Sequence, residues 1–519
     1  MATAQETWKP RANRRPGDEK RKPVGPNPYL TGEFLPVGES PDGRWQPVGS
    51  VVEGAIPADL CGTFLRNGPN PEFDFEGKPY HFFDGDGMIH AVRFENGKAE
   101  YLNRWIQTKR LQAQRQNGFA FAEFAEVASV EVEPGKMPTF YHSKYDKDEK
   151  KEYRSPANTA FAFQAGELLA LNEADKPYRI DPDDLSTKGR MEWNVKHGCT
   201  AHPRVCPKTG EMFFFNYVPA SKEDKWLYCG VLNPKGELER SFPVAIPHPV
   251  MMHDCILTEN YMVLFDLNLR FDLMELIKEM QTGKPTEGPW RHHLELPARF
   301  GFLPRTATSD KDVKWIEIPP CGVFHFCNAW EEGDEVVVVG SRFHILHLDA
   351  FSDKAAESLN NKENEGRMTM WRLNLRTGKM VSEQKLSDHP VDFSQIDWST
   401  VGRESKIVYA AEFAQDKDFG FRGMVKYNLK TSEVQTYRHP EGHVGGEVVF
   451  ARRKGGSAAE DDGYLMGMVI NRNEGSTECA IVDAQTMKLV ARVKMPSRVP
   501  QGFHAFWLGA EMRQPRAKL

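Results

Sequence analysis

No stretch of this chain approaches the about 18 consecutive apolar residues that a membrane-spanning helix requires. Cysteine is scarce as well. Eight cysteines in 519 residues, with no C-x-x-C pair, are too few for a disulfide scaffold and read as free thiols in a reducing compartment. Basic excess is missing too. A formal charge of −6 and a pI near 6.3 argue against nucleic acid as a partner. The N-terminal "MATAQETWKPRANRRPGDEKRKPVGPNP" lacks the apolar core of a secretory signal. Its acidic residues and absent amphipathic pattern argue against an organelle transit peptide. We expect a flexible tail over 1–28 and a single domain over 29–519. The expected compartment is the cytoplasm. Peripheral contact with a membrane stays open, and a plastid is the weaker alternative.

Helical periodicity is also sparse. "RFDLMELIKEM", Arg270 to Met280, is the best case, with Leu273, Leu276, Ile277 and Met280 on one side. It reads as a helix packed on the fold, or alternatively as an apolar rim touching lipid.

What the sequence does contain is strand. Short apolar or alternating runs such as "GEMFFFNY", "NYMVLFDLNL", "DEVVVVGSRF" and "GYLMGMVI" recur, each bounded by Gly, Asn, Asp or Pro. One hairpin signature repeats: an apolar residue, Asp or Asn, a short polar stretch, then a new strand. It occurs in "YRIDPDDLSTKGRMEW", "WRLNLRTGKMVSEQKL", "KYNLKTSEVQTYRH" and "IVDAQTMKLVARVKM". Meander units repeated along a whole chain predict an all-β fold of the propeller kind.

Most of the 16 histidines lie in polar, loop-like settings. Four do not. His202 in "CTAHPRV", His253 in "PVMMHDCIL", His325 in "GVFHFCNAW" and His504 in "QGFHAFW" each adjoin a strand amid apolar neighbours. No local motif such as H-E-x-x-H links them, so spacing alone does not select a metal. Distant strands converge at a shared axis, which a propeller provides. The alternative, four separately satisfied core histidines, stays open on pattern alone. Three acids share the setting: Glu173 after "LLALN", Asp392 in "HPVDFSQIDW" and Glu447 in "HVGGEVVFA". A carboxylate in an apolar strand needs a partner. That partner is either an ordinary ion pair or the outer N–H of a metal-bound imidazole.

The segments "FLRNGPNP", "HFFDGDGMIHAVRF", "LLALNEADKPY", "TAHPRV", "MMHDCILTENY", "FGFLPR", "FHFCNAWEE" and "PQGFHAFW" resemble the carotenoid cleavage oxygenase family, from about Asn27 to about Phe506. "NPYLTGEF" and "ALNEADKPY" are similar to the plant-type enzymes that cut at 9,10 and 9′,10′ bonds. The resemblance implies a seven-bladed β-propeller with a helical and loop dome over one face. It implies one Fe(2+) per chain, held by His202, His253, His325 and His504, with Glu173, Asp392 and Glu447 behind them. The family most often has Glu at the middle position. Asp392 is one methylene shorter, so a longer or displaced bond to His325 is expected. Thr159, in "PANTAFAF", matches a small residue beside the open metal position and is the candidate catalytic side chain. The substrates implied are O2 and a lipophilic polyene, cleaved at a conjugated C=C bond into apocarotenoid aldehydes or ketones. Phe119, Phe121 and Phe124 in "GFAFAEF", with Phe300 and Phe302 in "ARFGFLP", are candidate tunnel walls, although core packing explains any one aromatic as well.

Four other readings remain, among them an isomerohydrolase of the same family acting on retinyl esters. Stilbene-cleaving relatives read a phenol with a Lys before the first outer acid and a nearby Tyr. Here Asn172 precedes Glu173, and the other segment reads "FAFAEFAEV". An 11,12-cleaving epoxycarotenoid enzyme is not separated by sequence. Outside the family, a non-catalytic propeller platform needs no converging histidines and carries tryptophan-aspartate repeats, which this chain lacks.

Overall fold

The computed structural model describes residues 9–11, 27–75, 80–118, 120, 155–173, 175–193, 198–217, 226–272, 282, 290–346, 364–414 and 420–513. Among these residues the chain is built almost wholly of antiparallel strands, with one α-helix, Lys109–Asn117. That helix is short because its signals are local. Thr108 Oγ1 accepts from Leu111 N at its start, and Gly118 closes it at φ 77°.

The repeated hairpin signature forms one recurrent turn. Asp181, Asn374, Asn428 and Asp483 each accept backbone N–H groups onto their own side-chain oxygen. Four residues on, Leu185, Gly378, Ser432 and Met487 all have positive φ, between 54° and 67°. The Asx side chain supplies the bonds that let the chain reverse, and the left-handed residue aims the return strand.

These turns stitch meanders. Ala160–Gln164, Glu167–Leu171, Tyr178–Ile180 and Thr187–Arg190 form one four-stranded sheet. Arg204–Val205, Met212–Tyr217, Leu227–Leu232 and Leu238–Val244 form the next. Ile256–Leu257, Tyr261–Asp266, Ala298–Pro304 and Lys314–Ile318 form a third. A continuous run follows from Gly322–Glu332 onward, because the 17-residue strand Lys379–Gln395 pairs with Arg367–Asn374 at one end and Ile407–Phe413 at the other. The remaining sheet joins both ends of the domain: Gly62–Pro69 pairs with Gly87–Glu95 on one side and with the C-terminal Ala505–Gly509 on the other.

Several apolar cores lie between sheets that are neighbours along the chain. Leu169 and Leu171 pack with Met212 and Phe214. Phe213 and Phe215 pack with Leu264, and Phe265 and Phe300 with Val338 and Trp371. The circuit ends where Ile481 and Val493, near the end of the chain, pack with Phe64 and Val92 near its start.

Within the segment expected as a tail, Arg11 forms a bridge to Phe73, its N–H donates to the Glu72 carbonyl at 2.7 Å, and its Nε pairs with the Glu72 carboxylate at 2.9 Å. The expected helix from Arg270 begins as strand, since Leu269–Phe271 pairs with Trp290–His292. The rest of that segment, with Leu273, Leu276, Ile277 and Met280, lies outside the described residues, as do Phe119, Phe121 and Phe124.

Candidate metal centre

The four singled-out histidines meet. Their candidate ligand nitrogens all lie within 4.8 Å of one another. His202 Nε2 is 3.0 Å from His253 Nε2, which is 3.2 Å from His325 Nε2. The His504 ring centroid is 4.4 Å from that of His202 and 4.7 Å from that of His325. Each histidine stands at or beside the edge strand of its sheet: before Arg204–Val205, before Ile256–Leu257, within Gly322–Glu332 and before Ala505–Gly509.

The acids stand behind them. Glu173 Oε1 bonds His253 Nδ1, Asp392 Oδ2 bonds His325 Nδ1 at 3.0 Å, and Glu447 Oε1 lies 3.3 Å from His504 Nδ1. Tyr217 donates to the other Glu173 oxygen at 2.5 Å. Gln395 and the Ala505 N–H donate to Glu447. His202 has no carboxylate partner among the described residues. The Asp392 bond is of ordinary length, so the shorter side chain does not displace it. A backbone irregularity accounts for this. Phe393 has φ 53°, and the register of its strand shifts between Asp392 and Gln395, a bulge that re-aims side chains.

Burial and the adjacent imidazoles hold His202 and His325 well below the usual imidazole range. Burial also acts downward on His253, but the Glu173 carboxylate outweighs it and raises His253. Burial acts upward on Glu173, and the charge and bond of His253 turn the net shift downward. Burial pushes Asp392 up to about 7. Neutral imidazoles with one nitrogen fixed outward and the other facing inward are the form that ligates metal.

The donor set fits a divalent ion. Metal–imidazole bonds of about 2.1 Å separate nitrogens meeting at a right angle by about 3.0 Å, and at a tetrahedral angle by about 3.4 Å. The observed 3.0 and 3.2 Å lie nearer the right-angle value. Four neutral donors leave the ion's charge intact, and the three carboxylates offset it.

Sequence reasoning missed the brace beneath this set. Asp254, 2% exposed, takes Arg204 Nη2 on both oxygens at 2.8 and 2.7 Å and accepts the Phe326 N–H at 2.9 Å. Arg204 also donates to the Cys255 and Phe326 carbonyls. One ion pair thus ties together the segments carrying His202, His253 and His325. The available signal was adjacency: Arg204 is two residues past His202, and Asp254 directly follows His253.

Thr159 lies beside His504, whose N–H donates to the Thr159 carbonyl at 3.1 Å. Its hydroxyl bonds the Asn158 side chain at 3.1 Å. The structure puts Phe300 and Phe302 in the core between sheets, fully buried, with Phe300 edge-on to Phe265 and Trp371. This is the packing role, not a tunnel wall. The aromatics against the histidines are others: Phe324 at 5.3 Å from His253, and Phe393 at 4.7 Å from His325 and 5.0 Å from His504.

An all-β chain with four imidazoles in one ligand set, three of them backed by carboxylates, defines an imidazole-bound metalloprotein. The family described as retinal pigment epithelial membrane protein matches residues 39–509. The chain is 36% identical to carotenoid 9,10(9′,10′)-cleavage dioxygenase 1 of Phaseolus vulgaris, over 95% of this chain and 92% of that one. It is 37% identical to the same-named protein of Arabidopsis thaliana, over 94% and 90%. The chain therefore belongs to the carotenoid cleavage oxygenase family, and it is an oxygenase. Among solved structures, lignostilbene dioxygenase of Pseudomonas brassicacearum aligns with TM-score 0.75 at 24% identity, covering 94% of this chain and 100% of that one. A Synechocystis apocarotenoid oxygenase variant aligns with TM-score 0.75 at 22% identity, covering 94% and 100%. At these identities the likeness concerns fold alone.

Proposed function

We propose that this protein is a non-haem Fe(II) dioxygenase that cleaves a conjugated C=C bond of a carotenoid or apocarotenoid at the 9,10 (9′,10′) position. The observation that carries this is the convergence of His202, His253, His325 and His504, with Glu173, Asp392 and Glu447 behind three of them. The plant relatives supply the bond position. Ferrous iron, when bound, supplies the means of activating O2. The alkene supplies the electrons, and the two oxygen atoms end as the two product carbonyls.

The chain's own residues hold, orient and exclude. The carboxylates fix three imidazole tautomers. Phe324 and Phe393 offer an apolar surface beside the imidazoles, suited to a polyene and poor for water. Thr159, beside His504, narrows the approach. No side chain is required as a proton donor or acceptor; the work is alignment. Asn172 bonds Asn158 and Thr159 and is not a cationic phenol reader, which speaks against a stilbene substrate.

We read the fold as a seven-bladed propeller. The long strand Lys379–Gln395 serves as the outer edge of one blade and the inner edge of the next. In this reading every blade lends one named residue to the axis: His504, Thr159, His202, His253, His325, Asp392 and Glu447.

The test is anaerobic reconstitution with Fe(II), then O2 with β-carotene, zeaxanthin, apocarotenals and resveratrol, and product identification by mass. Dialdehydes and ketones from 9,10 scission are expected. Iron-loaded protein that leaves every carotenoid intact overturns the reading. Products of 11,12 scission move it to the epoxycarotenoid branch.

A further inference from the structure

Beside the histidine centre three polar side chains form a knot. Asn158 is 1% exposed. Its Nδ2 donates to the Phe83 carbonyl at 3.0 Å and to the Gly85 carbonyl at 2.8 Å. Thr159 Oγ1 lies 3.1 Å from Asn158 Oδ1. Asn172 Nδ2 reaches both oxygens, at 3.4 Å from Asn158 Oδ1 and 3.3 Å from Thr159 Oγ1. The backbone around the knot is pinned as well. The Thr159 N–H donates to the Leu171 carbonyl at 3.0 Å, and the Thr159 carbonyl accepts the His504 N–H at 3.1 Å. Just before the knot Ala157 holds φ 52°, a left-handed state that is costly for a residue with a Cβ and persists only where the surroundings enforce it. The buried Asn67 supplies part of that enforcement, donating to the Ala157 carbonyl at 2.8 Å.

The two backbone carbonyls set the direction of every bond in the knot. A carbonyl only accepts, so the Asn158 amide must face Phe83 and Gly85 with its nitrogen, and both of its N–H bonds are used there. The Asn158 oxygen, which also only accepts, is left for Thr159 and Asn172. The Thr159 hydroxyl must therefore donate to Asn158, and Asn172 must turn its nitrogen toward both oxygens. A hydroxyl carries a single proton. That of Thr159 is spent on Asn158.

We propose that Asn158 and Asn172 together are positioning residues for Thr159, locking its side chain in one rotamer and taking up its only proton. This rests on the reading of Thr159 as the residue that narrows the approach to the metal. A threonine whose hydroxyl lacks fixed partners divides between rotamers, and a hydroxyl free to turn would offer a proton beside the position where O2 is taken up. Held by the two amides, Thr159 meets O2 and the alkene as a fixed wall with no proton to give. The lock also ties that wall to the centre on two sides: Asn172 directly precedes Glu173, which bonds His253, and the Thr159 carbonyl holds the backbone of His504.

The test is a set of variants of the full-length protein. Thr159→Val keeps the shape of the side chain and removes the hydroxyl. Asn158→Ala removes the acceptor. Asn172→Ala removes the donor at a half-buried position, where folding is less at risk. Two readouts need no turnover. Crystals of the metal-free variants show whether Thr159 occupies one rotamer or two. Nitric oxide, added to the iron-loaded protein as a surrogate for O2, reports the space beside the ferrous ion through its electron paramagnetic resonance spectrum. Each Asn variant should show a second Thr159 rotamer and a second spectral species, with kcat on β-carotene lower by about tenfold and KM little changed. Combining either with Thr159→Val should restore a single species, because no hydroxyl is left to turn. A single Thr159 rotamer in Asn172→Ala would overturn the proposal, as would a spectral change that persists in the Thr159→Val background. Variants that show the expected rotamers and spectra, in a protein that leaves every carotenoid intact, would uphold the lock and overturn the function proposed above.

Discussion

The histidine centre and the buried Arg66, which meet at the sheet that His504 adjoins, are built on opposite electrostatic plans. Around the histidines the chain supplies three carboxylates, two of them at most 5% exposed. Around Arg66 it supplies carbonyls alone. The first plan suits a guest that brings positive charge, and the second holds a cationic side chain against neutral carbonyls. Buried charge left without compensation is too costly to be incidental in either place.

The largest effect expected on this contrast comes from removing a ligand. His325→Ala should abolish both iron binding and turnover, read by metal analysis of the purified protein and by product assay; a variant retaining full activity would break the assignment. Next is the brace. Asp254→Asn removes the charge that Arg204 and the Phe326 N–H lean on, and should cost about 3–5 kcal/mol in urea unfolding, with iron lost in parallel. Glu173→Gln and Glu447→Gln should each weaken iron binding by about 10–100-fold, measured by competition with a chelator. Asp392→Glu is milder. The extra methylene enters a packed site where Asp392 already reaches His325 at 3.0 Å, so iron should be kept while the fold loses about 1–3 kcal/mol. Smallest of all, Arg66→Met should leave iron stoichiometry unchanged. A fall in iron would mean that the two regions are coupled.

The four histidines were visible in the sequence as imidazoles in apolar flanks, but pattern alone left separately satisfied core histidines open, and the family resemblance joined them into one ligand set. His202, His253, His325 and His504 share apolar flanks, and Asp392 and Glu447 are acids among hydrophobic residues. The hairpins were legible because the Asx turn is written in consecutive residues. What escaped depends on pairing across the fold. The Arg204–Asp254 brace joins segments about as far apart as the ligands themselves. The bulge at Phe393 is a backbone state that no residue type announces. Phe300 and Phe302 were left open between core and channel because a buried aromatic looks the same in sequence in either place. The docking of Arg11 on Glu72 and Phe73 was hidden by a composition that reads as disordered.

Pairing of Ala505–Gly509 with Gly62–Pro69 has a temporal consequence. His504 directly precedes the closing strand, so during synthesis three imidazoles exist long before the fourth leaves the ribosome. Assembly of the complete ligand set must then wait for the ends to zip together, the slow long-range event in such a topology. A chain cut short before residue 504 lacks one of the four ligands.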